Sequence, residues 1–263
     1  MVMHTRYEPQ FYDTFNAGAF RGDVDWYRRK ARECRGPVLE LGSGTGRITL
    51  PVARDGVSIW ALDLDDGMIE ELTRKAGREA ADVRRRITIV KGDMRSFQID
   101  VTFALVMIPF RAFLHNLTSD DQLACLRCAH AHLAAGGQIA FNVFHPSLEY
   151  MAYHVGALAG VWRWRESREL QDGTLLMRSE ANRYDTVRQR VHSQHRYELY
   201  AADGNLVRTV VHSLELAYLY PGDVRSLLEK SGFTDIVING GFRDEPFASD
   251  TDELVIEATA GSR

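Results

Sequence analysis

The sequence predicts a doubly wound α/β sheet with a small antiparallel β-sheet inserted late in the chain. Three observations carry this. Short apolar runs alternate with segments of helical period from Val38 to Phe144, and strand–helix alternation builds a parallel sheet layered between helices. Several runs, such as FALVMI at 103–108, are continuously apolar, as strands buried on both faces must be. From about Val161 to Tyr218 the residues alternate in type and are broken by turn signals, the pattern of antiparallel hairpins.

The elements follow in order. FYDTFN and VDWYRRKAREC space their aromatics as helices do, and Gly36-Pro37 ends that segment. PVLEL reads as a strand, GRITLPVARDG as a helix containing Pro51, SIWALD as a strand, DDGMIEELTRKAGREAADV as a helix and RITIVKGD as a strand. FALVMI is a strand. SDDQLACLRCAHAHLAAGG is a helix with Ser119 as its amino cap and Gly136-Gly137 as its stop, and GQIAFNVF is the next strand. WRWRES, TLLMRSEANRY, VRQRVHSQHRYELY and LVRTVVHSLELAYLY form the inserted sheet, with turns at Gln171-Asp172-Gly173 and Ala202-Asp203-Gly204-Asn205. Pro221-Gly222 opens a helix to about Lys230, and FTDIVI and ELVIEATA close the sheet. The expected organisation is a helical cap over 1–36, an α/β domain over 37–158 and 219–263, and the inserted sheet over 159–218.

The 263 residues are 45% hydrophobic and 26% charged, with a net charge of −4. That balance suits an ordinary globular chain with a large core and lacks the basic excess of nucleic-acid binders. Arg84-Arg85-Arg86 and the stretch from Trp162 to Arg168 read as solvated faces. MVMHTRYEPQ has no apolar segment of the secretory kind, and nothing reaches the ~18 apolar residues of a membrane span. The three cysteines do not make a disulfide framework. CLRC at 125–128 falls in a helical pattern without a second ligand pair, so packing is expected there and no metal. A cytoplasmic chain is the expectation.

VLELGSGTGRITL places Gly42, Gly44 and Gly46 between the first strand and its helix. Glycine lets backbone approach a ligand without a Cβ in the way, and such a turn lies at the carboxyl edge of the sheet, where ligands bind. A dinucleotide fingerprint needs a third glycine three residues after the second; that position is Arg47. Asp63 ends the second strand, about where a carboxylate would accept from ribose hydroxyls. Its alternative task is to cap the following helix. A nicotinamide-dependent oxidoreductase remains the rival reading, with position 47 as the discriminating feature.

ELGSGTG at 40–46, LDLDDGMI at 62–69, KGDM at 91–94 and LAAGG at 133–137 together resemble the class I S-adenosylmethionine-dependent methyltransferases. The resemblance runs from about Val38 to Phe144 and resumes from Leu219 to Ala258. It implies a seven-stranded Rossmann-like methyltransferase sheet, with S-adenosyl-L-methionine as cofactor and S-adenosyl-L-homocysteine as product. By position it implies that Glu40 orders the turn and the methionine amino end. Gly42 and Gly44 pass backbone beside that end, with Gly46 completing the turn. Asp63 takes the ribose, with Leu64 next to it, and Met68 packs on the adenine or simply fills the core. Asp93 accepts from the adenine amino group, Met94 donates main chain to a ring nitrogen, and Ile108 contributes main chain at the end of the fourth strand.

Methyl transfer from a sulfonium is an in-line displacement, so alignment of the acceptor dominates; a base is needed only if the acceptor holds a proton at attack. The loop PFRAFLHNL offers His115. The region is similar to the small-molecule branch that includes amino-sugar N-methyltransferases, where a histidine of this loop and a tyrosine of the first helix flank the acceptor; Tyr12 matches the latter. Arg111 is a candidate for an anionic substrate group, and His145 for the site rim. In the inserted sheet, Trp162, Trp164, Arg183, His195, Arg196 and Tyr197 can read substrate shape, pack the sheet or form a homodimer interface. Amino-group DNA methyltransferases place an Asn or Asp before two prolines and an aromatic after the fourth strand; Met107-Ile108-Pro109-Phe110 lacks the polar residue and one proline. The reading is an enzyme methylating O or N of a small molecule, with no nucleic-acid or membrane partner. Its alternatives are the oxidoreductase and a non-catalytic module that binds the cofactor and serves a partner.

Overall fold

The computed structural model describes residues 9–16, 22–250 and 252–261. The reading of the amino terminus as free of a secretory segment rests on a stretch whose residues 1–8 lie outside the described residues. The elements are α1 (Pro9–Asn16), α2 (Asp23–Glu33), β1 (Val38–Leu41), α3 (Thr49–Arg54), β2 (Ile59–Asp63), α4 (Asp66–Ala76), α5 (Ala81–Arg84), β3 (Ile87–Lys91), β4 (Phe103–Ile108), α6 (Ser119–His132), β5 (Leu133–Phe144), α7 (Leu148–Ala152), β6 (Arg163–Glu169), β7 (Leu175–Asp185), β8 (Arg190–Tyr200), β9 (Leu206–Ala217), α8 (Pro221–Lys230), β10 (Phe233–Asn239) and β11 (Glu253–Ala260). They form two compact units: among the described residues, α1 and 146–218 make one, and 22–145 with 219–261 the other. The helical cap expected over 1–36 is thus divided, because its aromatics serve different faces. Trp26 and Tyr27 of α2 pack into the α/β core, whereas Phe11 and Phe15 of α1 pack on Leu176 and Tyr197 of the four-stranded sheet.

The α/β unit holds a seven-stranded sheet in the order β10-β11-β5-β4-β1-β2-β3. β1 pairs in parallel with β2 and β4, and β11 enters antiparallel between β5 and β10. All four residues of β1 are buried, which is why VLEL carries no polar alternation. α2 and α3 cover one face, with Trp26, Ile48 and Val52 against Val38, Leu105 and Met107. Pro51 is tolerated because it sits in the first turn of α3, where its missing N–H has no partner to lose. The second unit's sheet runs β6-β7-β8-β9, antiparallel throughout.

Three boundaries differ from the sequence reading. The segment 65–83 breaks into α4 and α5 after Gly77. Thr118, not Ser119, caps α6, its hydroxyl accepting from Asp121 N–H at 3.1 Å. α6 also stops at His132 rather than at Gly136, because Leu133 turns into the sheet and pairs with Phe103. Gly136 then takes φ 71°, and the register slips so that Leu105 pairs with Gln138. Thr118→Ala is expected to cost about 1 kcal/mol in thermal unfolding, the worth of an amino cap, while Ser119→Ala stays within about 0.5 kcal/mol. Among the described residues no helix is long and apolar enough to cross a membrane.

Candidate functional site

The chain runs from β1 outward to β3, then returns to place β4 on the other side of β1. That reversal opens a crevice at the carboxyl ends of β1 and β4, where open α/β sheets bind ligands. Three connections meet the crevice's edge: the glycine turn after β1, residues 64–65 after β2, and the loop after β4.

The glycine turn is fastened to β2, with Gly42 and Ser43 N–H both donating to the Leu62 carbonyl at 2.8 and 3.0 Å. Its three glycines all take positive φ, 72°, 54° and 87°, but for different reasons. A Cβ on Gly42 would stand 2.6 Å from the Ala112 Cβ, and one on Gly46 would stand 2.4 Å from Leu72 Cδ1. Those two let neighbouring elements close. A Cβ on Gly44 would meet nothing within 4 Å, so that side of the turn is open for a ligand. Gly42→Ala is therefore expected to lose stability, with overpacking of about 1–3 kcal/mol added to left-handed strain of roughly 1–2 kcal/mol. Gly44→Ala carries the strain alone and stays folded, yet should weaken S-adenosylhomocysteine binding by setting a Cβ on the open side of the turn. Melting curves and calorimetry on the pair separate the two roles.

Asp63 faces the open side. Its Oδ2 accepts from Gly44 N–H at 2.7 Å and its Oδ1 from Asp65 N–H at 2.9 Å. The capping task belongs to Asp65, which accepts from Met68 N–H at 3.0 Å. Desolvation pushes the Asp63 carboxyl above its ordinary pKa, against the pull of its backbone donors. Glu40, only 2% exposed, accepts from the Thr49 hydroxyl at 2.6 Å. Burial raises its pKa to about 8, although Thr49 and Arg47 favour the anion. Two partly or wholly desolvated carboxyls thus stand near the carboxyl ends of the neighbouring strands β1 and β2.

The remaining residues implied for the cofactor spread around this edge. Leu64 is 62% exposed beside Asp63, whereas Met68 is 4% exposed within α4. Asp93 is held by Arg95 at 2.6 Å, and Arg95 reaches on to Asp121 at 2.7 Å; this pair lowers the Asp93 pKa. Asn116 Nδ2 lies 3.3 Å from the Met94 sulfur. Ile108, at the end of β4, is fully buried.

The loop after β4 holds what sequence reasoning missed. Phe110 and Arg111 both take left-handed backbone, φ 56° and 64°. Asn142, fully buried in β5, accepts on Oδ1 from Phe110 N–H at 2.9 Å and from Tyr27 Oη–H at 2.8 Å, and donates through Nδ2 to Glu253 at 2.7 Å. Arg111 Nε and Nη2 clasp Glu253 at 2.9 and 2.5 Å, a bidentate pair. Arg47, at the position that excluded the dinucleotide fingerprint, stacks on the Phe110 ring at 4.6 Å and pairs with buried Asp23 at 2.6 Å. Ala112–His115 forms a 3-10 turn. His115 at its end is exposed, yet the protein around it desolvates the ring and lowers its pKa.

His145 is engaged in packing, its ring edge-on to Tyr220 and Phe247 and its Nδ1 3.2 Å from the Asp250 carbonyl. In the other unit, Tyr12 is half-buried in α1, and Trp162 lies under the Arg196 guanidinium at 4.8 Å. One face of that sheet carries a polar chain. Arg165 and Tyr150 contact Glu180, Asn182 donates to Glu180 at 2.9 Å, Ser193 donates to Asn182 at 2.6 Å, and His195 Nε2 lies 3.0 Å from Ser193 Oγ. Burial brings the His195 pKa down to about 4.

The crevice thus brings together an open-sided glycine, a carboxylate at the end of β2 and a second, buried carboxyl in β1. Residues 38–137 match the family model described as a methyltransferase domain. A cypemycin N-terminal methyltransferase of a Streptomyces species is 28% identical over 110 residues, 42% of this chain and 42% of that protein. The chain spans about half the length of the curated relatives it matches. The CcbJ methyltransferase of Streptomyces caelestis shares the fold with a TM-score of 0.76 at 21% identity, over 97% of this chain and 96% of its own. S-adenosylmethionine-bound CalS10, an amino pentose methyltransferase of Micromonospora echinaspora, does so with a TM-score of 0.69 at 18% identity, over 97% and 98%. Residues 38–137 thus carry a methyltransferase domain, on a fold shared with solved S-adenosylmethionine-dependent methyltransferases.

Proposed function

We propose that the chain transfers a methyl group from S-adenosylmethionine to a nitrogen or oxygen of a small-molecule metabolite. The observation that carries this is the open face of Gly44, whose N–H is held by the Asp63 carboxylate, with the buried Glu40 carboxyl on the neighbouring strand. When bound, the cofactor supplies a methyl group made electrophilic by a sulfonium. Glu40 balances the ammonium of its methionine end, and Gly42, Gly44 and Gly46 pass backbone beside it. Asp63 takes the ribose hydroxyls. Leu64 covers one face of the purine, and Asp93, Met94 and the Ile108 main chain meet its edge.

On the acceptor side, the lowered pKa of His115 keeps its ring neutral at pH 7, the form that can accept a proton. Tyr12 and Trp162 are the candidate acceptor-positioning side chains. CalS10 acts on an amino pentose, which supports an aminated acceptor over a nucleic acid; Met107-Ile108-Pro109-Phe110 offers no polar side chain to hold an extruded base. The three free cysteines support a reducing, cytoplasmic setting. Calorimetry with S-adenosylhomocysteine and NADH tests the cofactor, the expected result being binding of the former alone. Mass spectrometry over a panel of aminated and hydroxylated metabolites, with S-adenosylmethionine present, then looks for a gain of one methyl. Absence of S-adenosylhomocysteine binding ends this reading.

A further inference from the structure

The loop after β4 adopts a conformation its own sequence does not favour. Two successive side-chain-bearing residues in the left-handed region are strained and persist only where the surroundings over-determine them. The surroundings here are specific. Asn142 Oδ1 accepts from the Phe110 N–H, and its amide is fixed in orientation because Oδ1 serves two donors while Nδ2 serves Glu253. Glu253 in turn grips Arg111 with both oxygens. Immediately beyond, Ala112 abuts Gly42 of the cofactor turn, and the 3-10 turn ends at His115. Two separate elements, β5 through Asn142 and β11 through Glu253, therefore hold residues 110 and 111, and Tyr27 of α2 braces Asn142.

We infer that Asn142 is a positioning residue for methyl transfer: with Glu253 as its support, it holds residues 110–111 in their left-handed turn and so sets where His115 stands relative to the cofactor crevice. This rests on the proposed role of His115. The physical logic is that a buried amide serving three partners has no cheap alternative arrangement, so it transmits the rigidity of the sheet to a loop that would otherwise relax. Tyr27 shares the network but touches only the amide, so it adds stability to Asn142 without touching the loop.

The test compares Asn142→Leu with Tyr27→Phe in the full chain. Amide hydrogen exchange over 110–116 is expected to rise at least ~10-fold in Asn142→Leu, as a freed segment opens locally, with β1 unchanged. The NMR titration of the His115 ring, identified by its loss in His115→Gln, should move up toward the ordinary histidine value. S-adenosylhomocysteine affinity should stay within about threefold. Tyr27→Phe should lower the melting temperature while leaving both local readouts near wild type. If the exchange of 110–116 follows the melting temperature alike in both variants, or if Asn142→Leu changes neither readout, the inference is overturned. Should Asn142→Leu fail to fold, Glu253→Gln carries the test: exchange at 110–116 raised threefold or more supports it and no change refutes it. A wild type that binds no S-adenosylhomocysteine would defeat the proposed function, while exchange and titration would still decide the role of Asn142.

Discussion

Asp63→Ala is expected to weaken S-adenosylhomocysteine binding by about 10- to 150-fold, the 1.5–3 kcal/mol that a charged hydrogen-bond partner contributes. The carboxylate ties the Gly44 and Asp65 amides together at 2.7 and 2.9 Å and still has lone pairs to offer a ribose. Alanine removes the ligand contact and unties both amides at once, so part of the loss is the cost of reordering the turn on binding. Asp63→Asn keeps the shape and one acceptor, and should fall between. Calorimetry decides it: an alanine variant that binds within twofold of wild type means the ribose is held elsewhere.

Glu40 carries the second large effect. Its pKa of about 8 in the unliganded protein leaves it protonated at pH 7. An ammonium group beside it favours the anion, so binding at pH 7 should release close to one proton. Affinity then rises with pH toward about 8, by no more than ~10-fold per unit, and levels off above. Proton release is read from calorimetry in buffers of different ionisation enthalpy. Folding is linked in the opposite sense. The folded chain keeps a proton that the unfolded chain gives up near the ordinary value of 4.5, so Glu40 makes the unliganded protein less stable as pH climbs from there to about 8. Glu40→Gln fixes the uncharged state. It should raise the melting temperature at pH 8, abolish the proton release and weaken S-adenosylhomocysteine by roughly 100-fold or more, since one partner of a buried pair is worth about 3 kcal/mol or more. Unchanged affinity in Glu40→Gln would remove Glu40 from the cofactor site.

The strands of the α/β unit were legible because burial on both faces leaves an apolar run with no polar alternation, as in VLEL and FALVMI. The glycine turn was legible because positive φ and close approach select one residue type. The Thr118 cap was missed by one position, since adjacent hydroxyls carry the same signal. The left-handed pair at 110–111 left no trace, since neither Phe nor Arg announces that backbone. Its supports were half visible. Asn142 stands in the apolar strand GQIAFNVF and Glu253 opens ELVIEATA, and a polar group in such a run demands a partner. What no local pattern supplies is which partner, because residues 27, 110, 142 and 253 meet only through the sheet order. The contacts of Arg111 and His145 were illegible for the same reason: their long-range partners, Glu253 and the Tyr220–Phe247 pair, lie beyond any window of sequence.

β11 pairs with β5 along almost its whole length, yet the entire β6–β9 meander is threaded between them in the chain. During synthesis the meander's hairpins, whose partners are sequence neighbours, can assemble within microseconds of emerging, whereas β5 must wait with one row of amides and carbonyls bare. The inserted segment is therefore expected to mature before the sheet that hosts it, leaving β5 as the nascent chain's most adhesive edge and the place where a chaperone has most to protect.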